Sequence, residues 1–592
     1  MLVTSPPTLP PLPWHLRLVP ALASLRGYRA SDARSDLVAG VTVAAVAVPQ
    51  AMAYAMVAGL PVQYGLYTAI VMTAVGALLD SSRQLINGPT NAISIAVLSV
   101  VGTVATGDER IAAAVVLAFM VGCIQLVVAL LRLGDLSRYI SHSVIVGFTL
   151  GAGALLVLDQ LKNLLGLQAM GDVHDHFLMR FWLTLTEGGS THLATAALGL
   201  GAIVLTIGLR WLKQRLGWTL LPDLLVVVAL SALTVQQLHL EGRGVKVVGD
   251  IPAGIPGFQL PHFEYARVRE MAGGALAIGI LGLLEAMSMA KAIAAGTRQK
   301  LDMTQQCLSE GVANLVGSLF QCYPGSGSLT RSAINHQAGA ASQWSGVMSA
   351  VAVLLIMQLC SPYARYVPRA ALAGILLVSA FRMVNFGELR YHLRATRFDA
   401  VIVGATALSA VAISIEFCVL IGVFMSFMLA VPRVGRTLLS EFVVAPEGGL
   451  HELLPEDQPC PKVLIFGLEG EFFFGAAASL ERHLDTIVDR VTDDTRVVVV
   501  RMKRARNPDA VCLTLLAHFI QRLRGRNVSV LMCGVREELL ASFHKSGLSD
   551  LIGQEQLFAE HPVRQTSTHL AVRHAYTLLG DPCGHCPRLS LA

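Results

Sequence analysis

The fold of this chain is decided by the stretch YPGSGS at residues 323–328 and by its counterpart NGPTN at residues 87–91. Each stretch is rich in residues that break helices. Each also precedes an apolar segment, 328–338 or 91–104, that is too short to cross a membrane alone. Short, interrupted segments at matching places in two halves of a chain point to the binding site of an inverted-repeat transporter. The two stretches therefore predict where the two halves of a membrane protein meet.

The composition is that of a polytopic membrane protein. Of 592 residues, 54% are hydrophobic and only 14% are charged, whereas soluble globular chains have about 25% charged residues. A soluble protein of this composition would leave too much apolar surface in water. The formal net charge of +5 is small for this length, which excludes a nucleic-acid-binding protein. The ten cysteines are too scattered to indicate a disulfide framework.

Charge density divides the chain into two parts. Charged residues make up about 11% of residues 37–435 but about 23% of residues 460–592, and the second value is typical of a soluble domain. We predict a cytoplasmic N-terminal segment at 1–36, a membrane domain at 37–435, a breaker-rich linker at 436–459, a soluble α/β domain at 460–580 and a flexible tail at 581–592. The arginines and leucines that alternate before residue 36 predict an amphipathic helix on the membrane surface.

The membrane domain contains fourteen apolar segments, and the two short ones are each the third of seven. The segments, numbered 1 to 14, are 37–58, 62–79, 91–104, 111–131, 139–158, 192–211, 219–238, 270–293, 305–320, 328–338, 343–360, 367–384, 398–414 and 416–431. The pattern predicts a polytopic α-helical membrane protein in a 7+7 inverted repeat. Lys and Arg fall mainly in loops on one side, so the positive-inside rule places the N-terminus and the soluble domain in the cytoplasm of a multi-pass protein of the cell membrane (inner or plasma membrane).

The two interrupted segments predict an anion site. A helix that begins near the bilayer midplane leaves its first backbone N–H groups unpaired and turns its positive dipole end toward the interruption. Two such ends that face each other bind an anion well. Thr90 or Asn91 is the candidate cap of the first half-helix, and Ser326 or Ser328 that of the second. The alternative is a pair of Gly/Pro loops on the protein surface.

Two charged residues are predicted to lie deep in the membrane rather than at the ends of spans. Arg331 follows Ser328-Leu329-Thr330, one turn into the second half-helix. A charge at that depth is costly and indicates a function and a partner, unless the side chain extends to the membrane surface. Glu285 lies in the middle of segment 8. It is either the structural counter-ion of Arg331 or a protonatable coupling group, and both interpretations stay open.

Several motifs resemble the SulP (sulfate permease) family of anion transporters. They are DLVAGVTV at 36–43, VPQAMAYA at 48–55, GLY at 65–67, the run from Arg83 to Pro89, MAK at 289–291, GSLF at 317–320 and SLTRS at 328–332. The resemblance covers residues 30–580. It implies a core domain of segments 1–4 and 8–11, a gate domain of the other segments, and a C-terminal STAS domain. It also implies a homodimer and an elevator-like movement of the core.

The resemblance also implies where the substrate binds. The anion would lie between segments 3 and 10, near Gln50 and Tyr54 of segment 1. The candidate substrate-binding residues are Gln50, Tyr54, Thr90, Asn91, Ala92, Glu285, Ser326, Gly327, Ser328, Leu329, Thr330 and Arg331. Sodium-coupled bicarbonate members have an Asp at the position of Glu285 and a Thr one turn later, where this chain has Met289, and they lack an arginine at 331. These departures favour protons over sodium as the coupling ion.

The soluble region alternates short apolar runs with helical stretches, which indicates an α/β domain and resembles STAS. Many STAS domains have a phosphorylatable Ser or Thr just after an Asp at the head of the second helix. This chain has Asp509-Ala510-Val511-Cys512 there, so we expect no phosphorylation switch at that place. The terminal motif CGHC at 583–586 lacks the second ligand pair of a zinc ribbon and is interpreted as part of the tail.

These features predict secondary active transport of an inorganic anion, sulfate first, coupled to protons. Bicarbonate or dicarboxylate transport, an anion channel on the same scaffold, and a membrane-anchored scaffold that acts through STAS are the alternatives. The sequence has no nucleophile constellation, P-loop or dinucleotide motif, so we expect neither an enzyme nor ATP-driven transport, and no cofactor or resident metal. The expected partners are a small inorganic anion, membrane lipid, a second copy of the chain and a cytoplasmic partner of STAS, but no nucleic acid.

Overall fold

The computed structural model describes residues 19–102, 108–134, 141–171, 175–217, 222–252, 254, 256–445, 449–563 and 565–580. The chain forms two compact units that divide after Ser426, within the last membrane helix. In the described residues the first unit is almost entirely helical, and the second is an α/β domain. The predicted tail at 581–592 and the proline-rich start of the chain lie outside the described residues.

Each of the fourteen predicted segments forms a helix, and three further helices lie outside them. The helices are α1 (Pro20–Ser24), α2 (Ala30–Val57), α3 (Val62–Leu79), α4 (Asn91–Gly102), α5 (Asp108–Leu130), α6 (His142–Leu165), α7 (Phe177–Glu187), α8 (Leu193–Leu216), α9 (Asp223–Gln237), α10 (Tyr265–Thr297), α11 (Met303–Leu319), α12 (Leu329–Gln337), α13 (Trp344–Ala364), α14 (Arg369–Met383), α15 (Phe386–Ala395), α16 (Arg397–Ala412) and α17 (Ile415–Val434). Segments 1 to 14 correspond to α2–α6, α8–α14, α16 and α17. Nine helices in the described part of the chain are long and apolar enough to cross a membrane.

The third and tenth segments are half-helices. Helix α4 has 12 residues and α12 has 9. At 1.5 Å per residue they are about 18 Å and about 14 Å long, roughly half of the 30 Å hydrocarbon core. Neither helix is long enough to cross the core, and both begin inside the protein, because Asn91 and Ser328 at their starts are buried.

Two short helices occupy matching places in the repeat. Helix α7 lies between segments 5 and 6, and α15 lies between segments 12 and 13. Only Thr184 is buried in α7, and no residue is buried in α15. The recurrence of such a helix after the fifth member of each group of seven agrees with a 7+7 repeat. The sequence did not predict either helix as a separate element.

A two-stranded antiparallel link joins the starts of the half-helices. Its strands are β1 (Asn87–Gly88) and β2 (Ser326–Gly327), with Asn87 opposite Gly327 and Gly88 opposite Ser326. All four residues are buried. The two helix-breaking stretches therefore lie against each other inside the protein, and the alternative of two surface loops is wrong.

The N-terminal amphipathic helix differs from the prediction. Helix α1 has only five residues, and α2 begins at Ala30, seven residues before the predicted start of segment 1. Gly27 separates them at a φ of +88°, which a continuous helix cannot accommodate. The carboxylate of Asp32 accepts a hydrogen bond from the backbone N–H of Arg29 at 2.9 Å and so fixes the start of α2.

The second unit contains a six-stranded sheet. The strands are β3 (Leu438–Val444), β4 (Leu450–Glu452), β5 (Val463–Glu471), β6 (Val497–Arg506), β7 (Ser529–Val535) and β8 (Leu557–Ala559), in the order β4-β3-β5-β6-β7-β8. Strands β5 to β8 are parallel, and β3 is antiparallel to both of its neighbours. The prediction of 436–459 as a linker is therefore wrong in part, because β3 and β4 fall within it. The prolines and glycines of that stretch indicated a linker, but the run LLSEFVV at 438–444, which comes before them, has the composition of a strand.

Helices cover both faces of this sheet. They are α18 (Ala477–Arg490), α19 (Ala510–Arg524), α20 (Glu537–Ser546), α21 (Leu548–Ile552) and α22 (Thr566–Leu579). Helices α18 to α21 pack on one face, against residues such as Val498 and Val500 of β6. Helix α22 packs on the other face, against Val497 and Val499. The strands are apolar on both sides because the sheet is covered twice, as in most parallel sheets.

Candidate anion-binding site

The first helix break is anchored by a buried carboxylate. Asn87 donates from Nδ2 to both carboxylate oxygens of Asp80 at 3.2 Å, and Thr73 donates to the carbonyl of Asn87 at 2.5 Å. Asp80 is fully buried at the end of α3 and also accepts hydrogen bonds from Gln306 and Ser309 of α11, each at 2.6 Å. Polar groups on two helices thus hold β1 in place.

The second helix break is anchored by α10 and α11. Asn314 accepts from the N–H of Gly325 at 3.0 Å and donates to its carbonyl at 3.1 Å. Ser326 donates from Oγ to the carbonyl of Gly282 at 2.7 Å. At Gly327 a Cβ would lie 3.0 Å from Cα of Ala286, so glycine at this position favours the close approach of β2 to α10.

The two half-helices begin differently. Thr90 caps α4, because its Oγ1 accepts from the N–H of Ile93 at 3.4 Å. At the start of α12, Ser328 occupies the cap position, but among the described residues no side chain caps the first N–H groups. Capping by Ser326 or Ser328 is therefore wrong, and the Ser326 hydroxyl bonds to α10 instead. The uncapped end of α12 leaves backbone donors for an anion.

Arg331 is buried behind the link between the half-helices. Its side chain is 1% exposed, which excludes extension to the membrane surface. Nη2 donates to the carbonyl of Pro89 at 2.9 Å, across the link to the first half-helix. Gly88, which pairs with Ser326 in the link, has a φ of +139°. A Cβ added to Gly88 would lie 2.9 Å from Nη1 of Arg331. Among the described residues the Nε of Arg331 has no hydrogen-bond partner.

Glu285 is held by the first half-helix rather than by Arg331. Thr90 donates from Oγ1 to Oε2 of Glu285 at 3.0 Å. Both charged side chains are described, and no ion pair joins them. A direct counter-ion role for Glu285 is therefore not what the geometry shows. The same Thr90 hydroxyl links the carboxylate to the cap of α4, so a change at Glu285 acts directly on the start of that helix.

A cavity of about 630 Å³ opens in front of the half-helix ends. Seven of the predicted site residues line it: Tyr54, Thr90, Asn91, Glu285, Ser328, Leu329 and Thr330. The other five do not line it, and all are buried: Gln50, Ala92, Ser326, Gly327 and Arg331. The structure therefore divides the predicted set into seven residues that line the cavity and five buried residues that do not.

A further part of the cavity wall was not predicted. It includes Arg210 of α8 and Ser379 and Arg382 of α14, followed by Asn385. Arg210 donates to Asp223 at 2.8 Å. Arg382 is exposed, and among the described residues no ion pair involves it. Both arginines lie near the ends of predicted segments, where positive charges commonly set membrane orientation. Nothing in the sequence therefore indicated that they line the cavity.

Three comparisons relate the chain to known proteins. A sulfate transporter named 4.1, chloroplastic, from Arabidopsis thaliana is 29% identical over 566 residues, which cover 92% of this chain and 82% of that protein. A sodium-independent sulfate anion transporter from Bos taurus is 32% identical over 467 residues, covering 73% of this chain and 76% of that protein. The murine Solute Carrier 26 family member A9 anion transporter, solved in the inward-facing state, shares the fold with a TM-score of 0.85 at 19% identity, covering 95% of each chain.

Family models match both parts of the chain. The model of the STAS domain matches residues 455–566, which agrees with the six-stranded sheet and its helices. The model of the sulfate permease family matches residues 34–406, and these residues include both half-helices and the link between them. The protein is a multi-pass membrane protein of the sulfate permease family, with a C-terminal STAS domain.

Proposed function

We propose that the protein carries a small inorganic anion, sulfate first, across the cell membrane by secondary active transport. The observation that supports this most is the meeting of two half-helix starts at the head of one cavity. The positive ends of both helices then face the space that the substrate would occupy. The names of the relatives from Arabidopsis thaliana and Bos taurus favour sulfate over bicarbonate or a dicarboxylate.

The described donors suit a tetrahedral dianion. The uncapped start of α12 offers backbone N–H groups, and Ser328 and Thr330 line the cavity beside them. Tyr54 and Asn91 face the same space from α2 and α4. Arg331 adds a full positive charge from behind the link, where water does not screen it. Gln50, Ala92, Ser326 and Gly327 are buried next to this lining, and among the described residues the Oε1 of Gln50 has no hydrogen-bond partner.

We propose that Glu285 couples transport to protons. Uptake of a dianion against an inside-negative potential costs about 4.6 kcal/mol per 100 mV. A carboxylate that lines the same cavity repels the anion, whereas the protonated form does not, so proton and sulfate would bind together. Met289 lines the cavity one turn further along α10 and offers no oxygen ligand, which disfavours sodium. The relative from Bos taurus is also named sodium-independent.

We propose the movement and the topology that the family resemblance implies. The core helices would move relative to the gate helices like an elevator, in a homodimer surrounded by lipid. The N-terminus and STAS would lie in the cytoplasm, where STAS binds a partner. Arg210 and Arg382 lie at helix ends that the positive-inside rule assigns to the cytoplasmic side. Their place on the cavity wall supports a cavity that opens inward.

Uptake of labelled sulfate into proteoliposomes tests this function. We expect an inward proton gradient to stimulate uptake and an inward sodium gradient to leave it unchanged. Unlabelled sulfate should compete better than bicarbonate, chloride or a dicarboxylate. Better competition by bicarbonate or a dicarboxylate would reassign the substrate, and an ohmic current without saturable uptake would indicate a channel.

A second experiment tests the role of Glu285. The variant Glu285→Gln mimics the protonated side chain, so it should exchange sulfate across the membrane but lose the response to a proton gradient. Glu270→Gln, an exposed change on the same helix, is the matched control and should behave like the wild type. Proton stimulation that survives in Glu285→Gln would remove Glu285 from the coupling, and stimulation by sodium alone would overturn proton coupling.

A further inference from the structure

Three side chains of metal-binding type meet at the rim of the cavity. His142 is the first residue of α6, and Glu388 and His392 lie on α15 at i, i+4 spacing, which places them on one helix face. One nitrogen from each histidine ring and one oxygen of Glu388 all lie within 4.8 Å of one another. Nε2 of His142 already contacts Oε1 of Glu388. His142 and Glu388 also line the cavity.

A hydrogen-bonded relay orients the second histidine. Ser143 donates from Oγ to Oδ1 of Asp399 at 2.6 Å, and the same Oγ lies 3.3 Å from Nδ1 of His392. Because the only hydroxyl proton of Ser143 goes to Asp399, the ring must donate from Nδ1. A neutral His392 therefore keeps its lone pair on Nε2, free for a metal. Carboxylate-backed support of this kind is typical of histidines that bind metals.

This ligand set matches zinc better than magnesium or calcium. Two imidazoles and one carboxylate are common zinc ligands, whereas the hard cations prefer an all-oxygen environment. Ligand atoms at 2.0–2.2 Å from one zinc ion lie about 3–4 Å apart, so only a small contraction of the cluster is needed. His142 and Glu388 are 55% and 37% exposed, which leaves their side chains room to make it.

We propose that His142, Glu388 and His392 form a binding site for Zn²⁺ that links α6 to α15 at the cavity rim, with the fourth position open to water. A simple ion pair between His142 and Glu388 would not involve His392 or its support from Ser143. The bound ion would replace a single hydrogen-bonded pair by a connection between two helices of the gate domain. The sequence did not predict a metal site, because its ligands are separated by 246 positions.

Zinc titration of the purified full-length protein by calorimetry tests the site. The motif CGHC at 583–586 offers zinc ligands of its own, so every protein in the experiment carries Cys583→Ser and Cys586→Ser. We expect one Zn²⁺ per chain, no binding of Mg²⁺, and X-ray absorption that shows only nitrogen and oxygen around the zinc. The variant His392→Gln should lose this binding, and Ser143→Ala should weaken it by about tenfold through the lost support.

His262→Gln changes an exposed histidine outside the cluster and is the matched control, which should bind zinc like the parent protein. If His392→Gln is not recovered folded, Glu388→Gln removes a different ligand and should show the same loss. Absence of saturable zinc binding in the parent protein would overturn the proposal. Unchanged affinity in a folded ligand variant would overturn it too. None of these binding measurements depends on transport. Failure of the zinc proposal can therefore be distinguished from failure of the proposed function.

Discussion

The substitution Gly88→Ala tests whether the Arg331 side chain is held at the point where the two half-helices begin. Its φ of +139° is unfavourable for alanine, and a Cβ would lie 2.9 Å from Nη1 of Arg331. The backbone strain costs about 1–3 kcal/mol. Because Arg331 is 1% exposed, the displaced guanidinium has little room and would lose its hydrogen bond to Pro89, which is worth about 1.5–3 kcal/mol. We expect Gly88→Ala to lower the free energy of unfolding by about 2.5–6 kcal/mol.

Denaturation of the purified protein in mixed micelles, with a rising fraction of SDS, measures this change. Gly339→Ala is the matched control, because Gly339 has a φ of +88° but a Cβ added there would have no atom within 4 Å, so it reports strain alone. Gly88→Ala should cost about 1.5–3 kcal/mol more than this control. This extra cost of Gly88→Ala over Gly339→Ala should vanish when each change is made separately in a protein that already carries Arg331→Ala. Equal costs at the two glycines, or an excess that persists without the guanidinium, would refute the reasoning.

Three further predictions concern the site and the soluble domain. Replacing Arg331 with Ala should weaken sulfate binding by at least about tenfold, because it removes a buried positive charge that attracts the dianion from behind the half-helix link. Wild-type affinity in calorimetry would contradict this, and Arg331→Lys, which keeps the charge, is the control. A chain that ends at residue 435 should still bind sulfate in detergent, and a folded truncated protein without binding would contradict a site confined to the membrane domain. Burial, with the carboxylate of Asp509, raises the pKa of Cys512 to about 12, and burial raises that of Cys533 to about 11. Near neutral pH both are therefore protonated, and iodoacetamide should label them only after unfolding; labelling of Cys512 in the folded protein would show the burial to be incorrect.

The sequence predicted those parts of the membrane domain that depend on composition and on breakers. Long apolar runs specify spans, and the runs that end early at 87–91 and 323–328 specify half-helices. The pairing of Asn87 with Gly327 was not predicted, because side chains of other helices, such as Asp80 and Asn314, hold the two breaks in place. That both breaks would lie inside the protein also followed, since matched interruptions are otherwise hard to explain in a membrane protein.

The direction of individual side chains could not be predicted. Position alone placed Arg331 near the substrate, but the structure turns it toward Pro89. Likewise, nothing in the sequence indicates that Thr90 rather than Arg331 bonds Glu285. Such contacts depend on packing between residues that are about two hundred positions apart, and a single sequence contains no record of that packing. Arg382 was not predicted as a cavity residue for a related reason. A positive charge at the end of a span is expected from membrane topology alone.

The short helices α7 and α15 recur at the same place in each half but differ in charge. Helix α15 contains Arg390 and Arg394, whereas α7 contains only Arg180. In an inverted repeat, equivalent elements belong to opposite membrane surfaces. An excess of arginine favours the cytoplasmic side, so this difference in charge would help the two halves insert in opposite orientations.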